Sequence, residues 1–246
     1  MKIVTCYATK GGVAKTTTAV NIAATLAAAG HETLLIDLDA NGHCALQLNL
    51  APSSAAYQWF AEPADRPLIQ PEQVLIATTQ PNLKLLAANG YLRQIERLYF
   101  GEPNAPRLLA NRIAALAAPT TAFIVIDTAI ASGVLRDAAF IAADTIVTPF
   151  QPSPNDLALI TTMLKSVTEQ RVILLPTRVK HTVLHRQIIA QANARWGAYL
   201  VQNGNGPVKV VESTTVEEAA AMGQPLLQYS PSHTATHAYR KIAEEL

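Results

Sequence analysis

Cysteine, aromatic residues and charge are all scarce in this chain. Its 246 residues include two cysteines, 6% aromatic and 15% charged residues, and the formal net charge is +1. Cys6 and Cys44 are too few and too far apart for a disulfide framework and point to a reducing compartment. No apolar run approaches the roughly 20 residues of a membrane-spanning helix. No signal peptide, internal repeat, low-complexity tract or long linker is visible. A charge of +1 gives no global attraction to polyanions. What the chain does have is apolar content: 50% of its residues, enough to bury one substantial core, so a single domain over residues 1–246 is expected. Ala51 to Pro67 and Gly101 to Arg107 read as surface connections.

Residues 9 to 17, Thr-Lys-Gly-Gly-Val-Ala-Lys-Thr-Thr, read as a phosphate-binding loop carrying two lysines. Ahead of it, Lys2 to Ala8 is short, β-branched and apolar. Behind it, Thr16 to Ala29 is rich in helix formers and reaches Gly30, a natural stop. Strand, tight loop and helix aim backbone N–H groups and the positive end of a helix dipole at one point, where phosphate binds without any side chain. Lys15 suits the β- and γ-phosphates, and the Thr16 hydroxyl suits a Mg²⁺ shell. Lys10 is not needed to hold phosphate within one subunit. Against the pattern Gly-x-x-x-x-Gly-Lys-[Ser/Thr], Thr9 and Ala14 replace both glycines. Ala14 costs roughly 1 kcal/mol if its backbone must be left-handed. The bland alternative is a Gly-Gly turn entering an ordinary helix with two solvated lysines.

Glu32 to Asp37 reads as a second strand running into the polar loop Leu38 to His43, and Ala122 to Asp127 as an apolar strand ending in a carboxylate. One aspartate at a strand end is often only a turn or cap residue. In an open parallel sheet, however, the loops after all three strands share one edge, and two carboxylates beside a phosphate loop suit Mg²⁺ and an attacking water.

Lys10 to Thr17, Leu34 to Asp39 and Phe123 to Asp127 together resemble the ParA/MinD family of deviant-Walker ATPases. Weaker likenesses at Gln80 to Leu86, Ala142 to Pro154, Glu217 to Ala219 and Ala238 to Glu245 extend the resemblance over almost the whole chain. It implies an α/β P-loop NTPase fold, a mostly parallel twisted sheet with helices on both faces in three layers. It also implies ATP and Mg²⁺, with Lys10, Gly11, Gly12, Val13, Ala14, Lys15, Thr16 and Thr17 around the phosphates. Lys10 would reach the partner's nucleotide across an ATP-sandwiched homodimer, Lys15 would serve its own, and Asp39 would orient or polarise the hydrolytic water. Thr16, Asp39 and Asp127 are the metal candidates, with Asp37 farther out. Thr17 matches the α-phosphate contact, and Pro176, Thr177 and Arg178 fall where the family contacts adenine.

Three departures stand out: Ala14 in the loop, Ala40-Asn41 after Asp39 in place of Pro-Gln, and Asp127-Thr-Ala-Ile130 without Pro-Pro. Weaker nucleotide binding and slow hydrolysis are the expected results. The lack of any cysteine after residue 44 separates the chain from iron-sulfur relatives such as nitrogenase iron protein. Cys6 reads as a small core residue and Cys44 as a loop or helix residue.

Thr234 to Leu246 sets Ala235, Ala238, Tyr239, Ile242 and Leu246 at helical spacing, with Glu244 and Glu245 near the end. Its modest apolar stripe favours a helix packed on the sheet over one lying on a membrane. Between Glu169 and Glu212 there are six Lys or Arg residues and no carboxylate, a local +6. Within it, Thr182 to Trp196 reads as a helix with Val183, Ile188, Ile189 and Ala192 inward and Arg186 and Arg195 outward. Those two arginines and Lys209 are candidates for sequence-independent DNA binding, against the bland reading of a solvated face. A dimer would double the phosphate contacts, each adding about −0.9 to the log–log salt slope.

The expected function is thus a cytoplasmic, nucleoid-associated partition or positioning ATPase. Its slow hydrolysis is stimulated by a ParB-like or other adaptor, and its cargo is a plasmid, a chromosome origin or a protein body such as a carboxysome. No membrane partner is expected, nor operator-specific repression, since the helix-turn-helix extension of larger partition ATPases is missing. Two alternatives remain at this stage: a MinD-like or flagellar-placement regulator, and a metabolic P-loop ligase resembling dethiobiotin synthetase.

Overall fold

The apolar, β-branched runs become the strands of one seven-stranded sheet in a computed structural model that describes residues 1–61, 69–167 and 169–246. The strands are β1 (Lys2–Cys6), β2 (Thr33–Leu38), β3 (Ile76–Ala77), β4 (Leu83–Leu86), β5 (Phe123–Thr128), β6 (Thr145–Phe150) and β7 (Arg171–Pro176). They lie in the order β3-β4-β2-β5-β1-β6-β7, all parallel except β3. The helices are α1 (Lys15–Ala28), α2 (His43–Leu46), α3 (Ala55–Ala61), α4 (Pro71–Val74), α5 (Gln94–Leu98), α6 (Ala105–Ala115), α7 (Val134–Ala142), α8 (Pro154–Ser166), α9 (Val183–Trp196), α10 (Thr214–Ala221), α11 (Leu226–Tyr229) and α12 (Thr234–Glu244). This is the three-layer α/β P-loop NTPase architecture expected from the sequence.

Apolar packing covers both faces of the sheet, one cluster on one face and two on the other. The first lies under α1, α2 and α10 to α12, and holds Val4, Cys6, Leu35, Val125 and Val147 from the strands. The other two, under α3 to α9, take the alternate residues, among them Ile3, Ile36, Ile124, Ile126 and Ile146. The same alternation sends Asp37 and Asp127 to the α1 face at the carboxyl ends of β2 and β5, where they are register partners. Strand order reverses around β1, so the loop after β1 opens into the crevice where ligands bind in sheets of this kind.

The C-terminal helix packs as expected. Ala235, Ala238, Tyr239 and Ile242 are buried against the α1 side, and the Tyr239 hydroxyl lies 3.4 Å from Thr18 Oγ1. Gly30 ends α1 with a φ of 92°, as its place in the sequence predicts.

Three expectations are corrected. The stretch from Ala51 is not a bare surface connection: α3 buries Ala56, Trp59 and Phe60, and the Trp59 indole donates to Arg112 O at 3.0 Å. Its serines mark the helix entry, Ser53 Oγ accepting from Ala55 N at 3.3 Å, while the remainder of the expected connection, residues 62–67, lies outside the described residues. The polar stretch to Arg107 likewise already contains the first turn of α6, with Pro106 at the start where its missing N–H costs nothing. Val183 is 60% exposed rather than inward. The inward stripe of α9 is His185, Ile188, Ile189, Ala192 and Trp196. The place given to Val183 belongs to His185, whose Nδ1 accepts from Lys180 N at 3.0 Å.

Candidate active site

The phosphate loop joins β1 to α1, and two side-chain hydrogen bonds from the segment after β7 fix its position. Thr177, one residue past β7, donates from Oγ1 to Val13 O at 2.9 Å, and Arg178 donates to Gly12 O at 3.2 Å. These occupy the loop's carbonyls, leaving its N–H groups for an anion at the head of α1. Gly12 has a φ of 75°, and Ala14, at the N-cap of α1, has a φ of 64°. Ala14 is therefore in the left-handed region that glycine fills in the general pattern, and the strain foreseen from the sequence is present.

The two lysines are in different surroundings. Lys15 is buried, and its Nζ donates to Asp127 Oδ1 at 2.6 Å. Burial alone would lower the Lys15 ammonium, but the Asp127 carboxylate outweighs it and holds the group above its ordinary pKa. Lys10 is partly exposed, and its Nζ lies 3.3 Å from Oδ1 of the buried Asp156. Asp156 is fixed in turn by Gln151 N, which donates to Oδ2 at 2.9 Å.

Thr16 Oγ1 donates to Asp127 Oδ2 at 2.7 Å, so the hydroxyl and the carboxylate form a pair of hard oxygen donors that fits Mg²⁺. Asp39 stands apart from them. It is half-buried, and its Oδ1 accepts from Asn41 N at 3.0 Å in a turn of its own. It borders a cleft of about 430 Å³ shared with Asn41, Arg93, Glu96, Ile130 and Arg136. Asp37 is fully buried and accepts from Asp39 N at 2.9 Å and Cys44 N at 3.1 Å. Its burial, reinforced by Asp127, pushes its carboxyl up to about 7.

Sequence reasoning undervalued Cys44. The one-turn helix α2 turns its thiol onto Asp127, Sγ donating to Oδ2 at 3.7 Å. The available signal was its place five residues beyond Asp39, in the loop that must fold back over the strand ends.

Pro176, Thr177 and Arg178 lead directly to a cleft of about 230 Å³. Gly12, Ala14, Thr17, Arg178, Val210, Val211 and Val216 are among its walls. It opens beside the loop and is of a size and apolarity to take a planar base.

The basic window is less basic when folded. Arg171 pairs with Glu245 at 3.1 Å, Arg178 with Glu212 and Glu217 at 3.5 Å, and Lys180 with Glu212 at 3.3 Å. Arg186, Arg195 and Lys209 are exposed, and no carboxylate pairs with them among the described residues. Arg186 and Lys209 border one groove with Lys180 and His181. Arg195, nine residues beyond Arg186 and so half a turn out of phase, lies on the opposite flank of α9 over the Trp196 ring, 4.8 Å from its centroid.

Residues 1–175 match the AAA domain family. The chain is similar to the chromosome-partitioning ATPase Soj of Thermus thermophilus, 28% identical over 257 residues that span 96% of this chain and 92% of Soj. Its fold is similar to that of apo McdA from Cyanothece, with a TM-score of 0.80 at 19% identity over 99% of each chain. It is also similar to cobyrinic acid a,c-diamide synthase from Mycobacterium smegmatis solved with ADP and magnesium, with a TM-score of 0.75 at 22% identity over 99% of this chain and 93% of that one. At such identities these two structures speak for the fold alone. With the family match, the Soj relationship and the doubly lysine-bearing loop on β1, the chain belongs to the ParA/MinD family of deviant-Walker P-loop ATPases and is a partition or positioning ATPase.

Proposed function

We propose that residues 1–246 form a single ATPase domain that closes into an ATP-sandwiched homodimer, binds DNA without sequence preference, and is released when an adaptor protein stimulates hydrolysis. The observation that carries this reading is the unequal environment of the two loop lysines. Lys15 is buried on Asp127 and suits its own subunit's phosphates, whereas Lys10 is partly exposed, held to Asp156 by one ion pair that a partner's nucleotide can outbid. Backbone N–H groups of Gly11 to Thr17 would surround the phosphates, Thr17 reaching the α-phosphate. Pro176, Thr177 and Arg178 would border the adenine. Thr16 and Asp127 would hold Mg²⁺, which neutralises charge on the transferring phosphoryl group, and Asp39 would approach it from the open cleft to orient water.

DNA is the partner of the α9 flank in this reading. Arg186 and Lys209 would contact phosphates along the groove and Arg195, on the other flank, would contribute a weaker, longer-range attraction. Nucleoid association and movement of a plasmid, chromosome origin or protein body follow from switching that affinity with the dimer. The packing of α12 on α1 favours this reading over a membrane-bound regulator.

Light scattering with ATP and Mg²⁺ tests the dimer. Wild type should pass from monomer to dimer, Lys10→Ala should bind nucleotide but stay monomeric, and Asp39→Ala should accumulate as an ATP-bound dimer. A normal ATP-dependent dimer from Lys10→Ala would remove the cross-subunit role, and normal turnover by Asp39→Ala would remove the water-orienting one.

A further inference from the structure

The thiol of Cys44 has no part in the reading above, yet it lies between the two buried carboxylates. One ligand atom from each of Asp37, Cys44 and Asp127 can be chosen so that all three lie within 4.8 Å of one another, and all three residues are buried. Neither the cysteine nor the acids alone would make a site. The spacing is more selective. A tetrahedral zinc bound to sulfur at about 2.3 Å and to oxygen at about 2.1 Å holds those two ligands about 3.6 Å apart. Cys44 Sγ and Asp127 Oδ2 are 3.7 Å apart.

Charge points the same way. With a metal bound, the thiolate and two carboxylates carry three negative charges, the neighbouring Lys15 ammonium compensates one, and a divalent cation compensates the other two. A soft sulfur among hard oxygens selects zinc or cadmium over magnesium. Asp37 is already fixed by two backbone N–H bonds, so its free lone pairs are oriented before any ion arrives.

We propose that Asp37, Cys44 and Asp127 form a binding site for one thiophilic divalent cation, of the zinc and cadmium class, in the nucleotide-free protein. The Cys44 S–H bond breaks as the metal–sulfur bond forms, the proton leaves to solvent, and no electron changes hands. The Thr16 hydroxyl, 2.7 Å from Asp127 Oδ2, or a water completes a fourth position. Because Asp127 is shared with the Mg²⁺ site, occupation by the soft cation and loading of magnesium nucleotide exclude each other. Such an ion would hold the ATPase in its unloaded state.

Titrating cadmium chloride into the reduced, chelator-treated full chain without nucleotide tests this through the ultraviolet sulfur-to-cadmium charge-transfer band. The band should saturate at one cadmium per chain in wild type and in Cys6→Ala. It should be absent in Cys44→Ala and in Cys44→Ser, the second variant guarding against a folding defect in the first. Asp37→Asn should weaken cadmium binding roughly tenfold or more. Adding Mg²⁺ with a non-hydrolysable ATP analogue should bleach the wild-type band. The proposal is overturned by a wild type without a saturable band, by a band that survives loss of Cys44 or vanishes with loss of Cys6, by unchanged affinity in Asp37→Asn, or by a full band in analogue-bound protein.

Discussion

The buried ends of β2 and β5 and the exposed flank of α9 both concentrate charge, but by opposite means. At the strand ends Lys15, Asp37 and Asp127 are enclosed, and each polar atom has a partner within hydrogen-bond reach. On α9, Arg186 and Arg195 reach into solvent, and their neighbours come from whatever the fold brings alongside. Buried charge must be compensated where it stands, so its partners are dictated by the fold. Surface charge is not, so a tally along the sequence overstates it: three of the six basic residues in the window are paired with acids from outside it.

The largest test of this contrast is Lys15→Ala. It strands Asp127 in the core, and losing one partner of a buried pair costs about 3–5 kcal/mol. Lys10→Ala breaks a pair whose lysine is partly exposed and leaves the buried Asp156 held by Gln151 N, so a smaller loss, on the order of 1 kcal/mol, is expected. Denaturant unfolding of both variants, with nucleotide binding measured alongside, should show the first destabilised and unable to bind ATP and the second nearly as stable as wild type. Equal losses would mean that burial does not separate the two lysines.

Acidity probes the buried region next. Asp37 has an ordinary value of 3.8 and is raised to about 7 by burial and then by Asp127. The folded protein therefore keeps the proton longer than the unfolded chain does. The stability linked to it is fully present below 3.8 and is lost as pH rises through about 7. Unfolding free energies should fall by on the order of a few kcal/mol from this group between about pH 4 and 8. In Asp37→Asn that part of the slope should disappear, whatever the offset from losing one backbone hydrogen bond. A variant with the wild-type slope would place the titration elsewhere.

The same contrast explains what was legible in the sequence. Lys10 to Thr17, Asp37 and Asp127 could be read because a phosphate loop and strand-end carboxylates impose a local order: strand, loop, helix, then alternation toward one face. β1, α1, β2, β5 and α9 lie within two residues of the spans read from that periodicity. Asp156 and Glu212 could not be read as partners, since each meets its neighbour across the fold, 146 residues separating Lys10 from Asp156, and Cys44 offered only its place in the loop after Asp39, 83 residues from Asp127. Val183 was misplaced for a related reason. Its hydrophobicity suggested burial, but the phase of α9 is set by His185, Ile188, Ile189, Ala192 and Trp196 together.

On the α9 side, the proposed DNA contacts divide by flank. Arg186→Ala and Lys209→Ala should each reduce the log–log salt slope of ATP-dependent DNA binding by about 0.9. Arg195→Ala, on the flank away from their groove, should change it less. Filter binding across a salt series reads all three. An equal loss from Arg195→Ala would mean that DNA crosses the helix instead of following the groove, and no loss from any of them would leave α9 an ordinary solvated face.

Ala14 returns the comparison to the phosphate loop, where the effect is smallest and the sign matters most. Its φ of 64° costs roughly 1 kcal/mol for a residue with a Cβ, and Ala14→Gly removes that cost while giving the unfolded chain back some freedom. The balance is a gain of under about 1 kcal/mol, a rise of roughly 2–4 °C at most in Tm for a chain of this size. Ala14 also lines the cleft beside the loop, and relief of its left-handed strain should raise nucleotide affinity along with stability. Calorimetry with and without an ATP analogue separates the two terms. A lower Tm without nucleotide would show that the surrounding bonds from Thr177 and Arg178 already relieve the strain, and that the alanine helps to fix the loop in its binding shape.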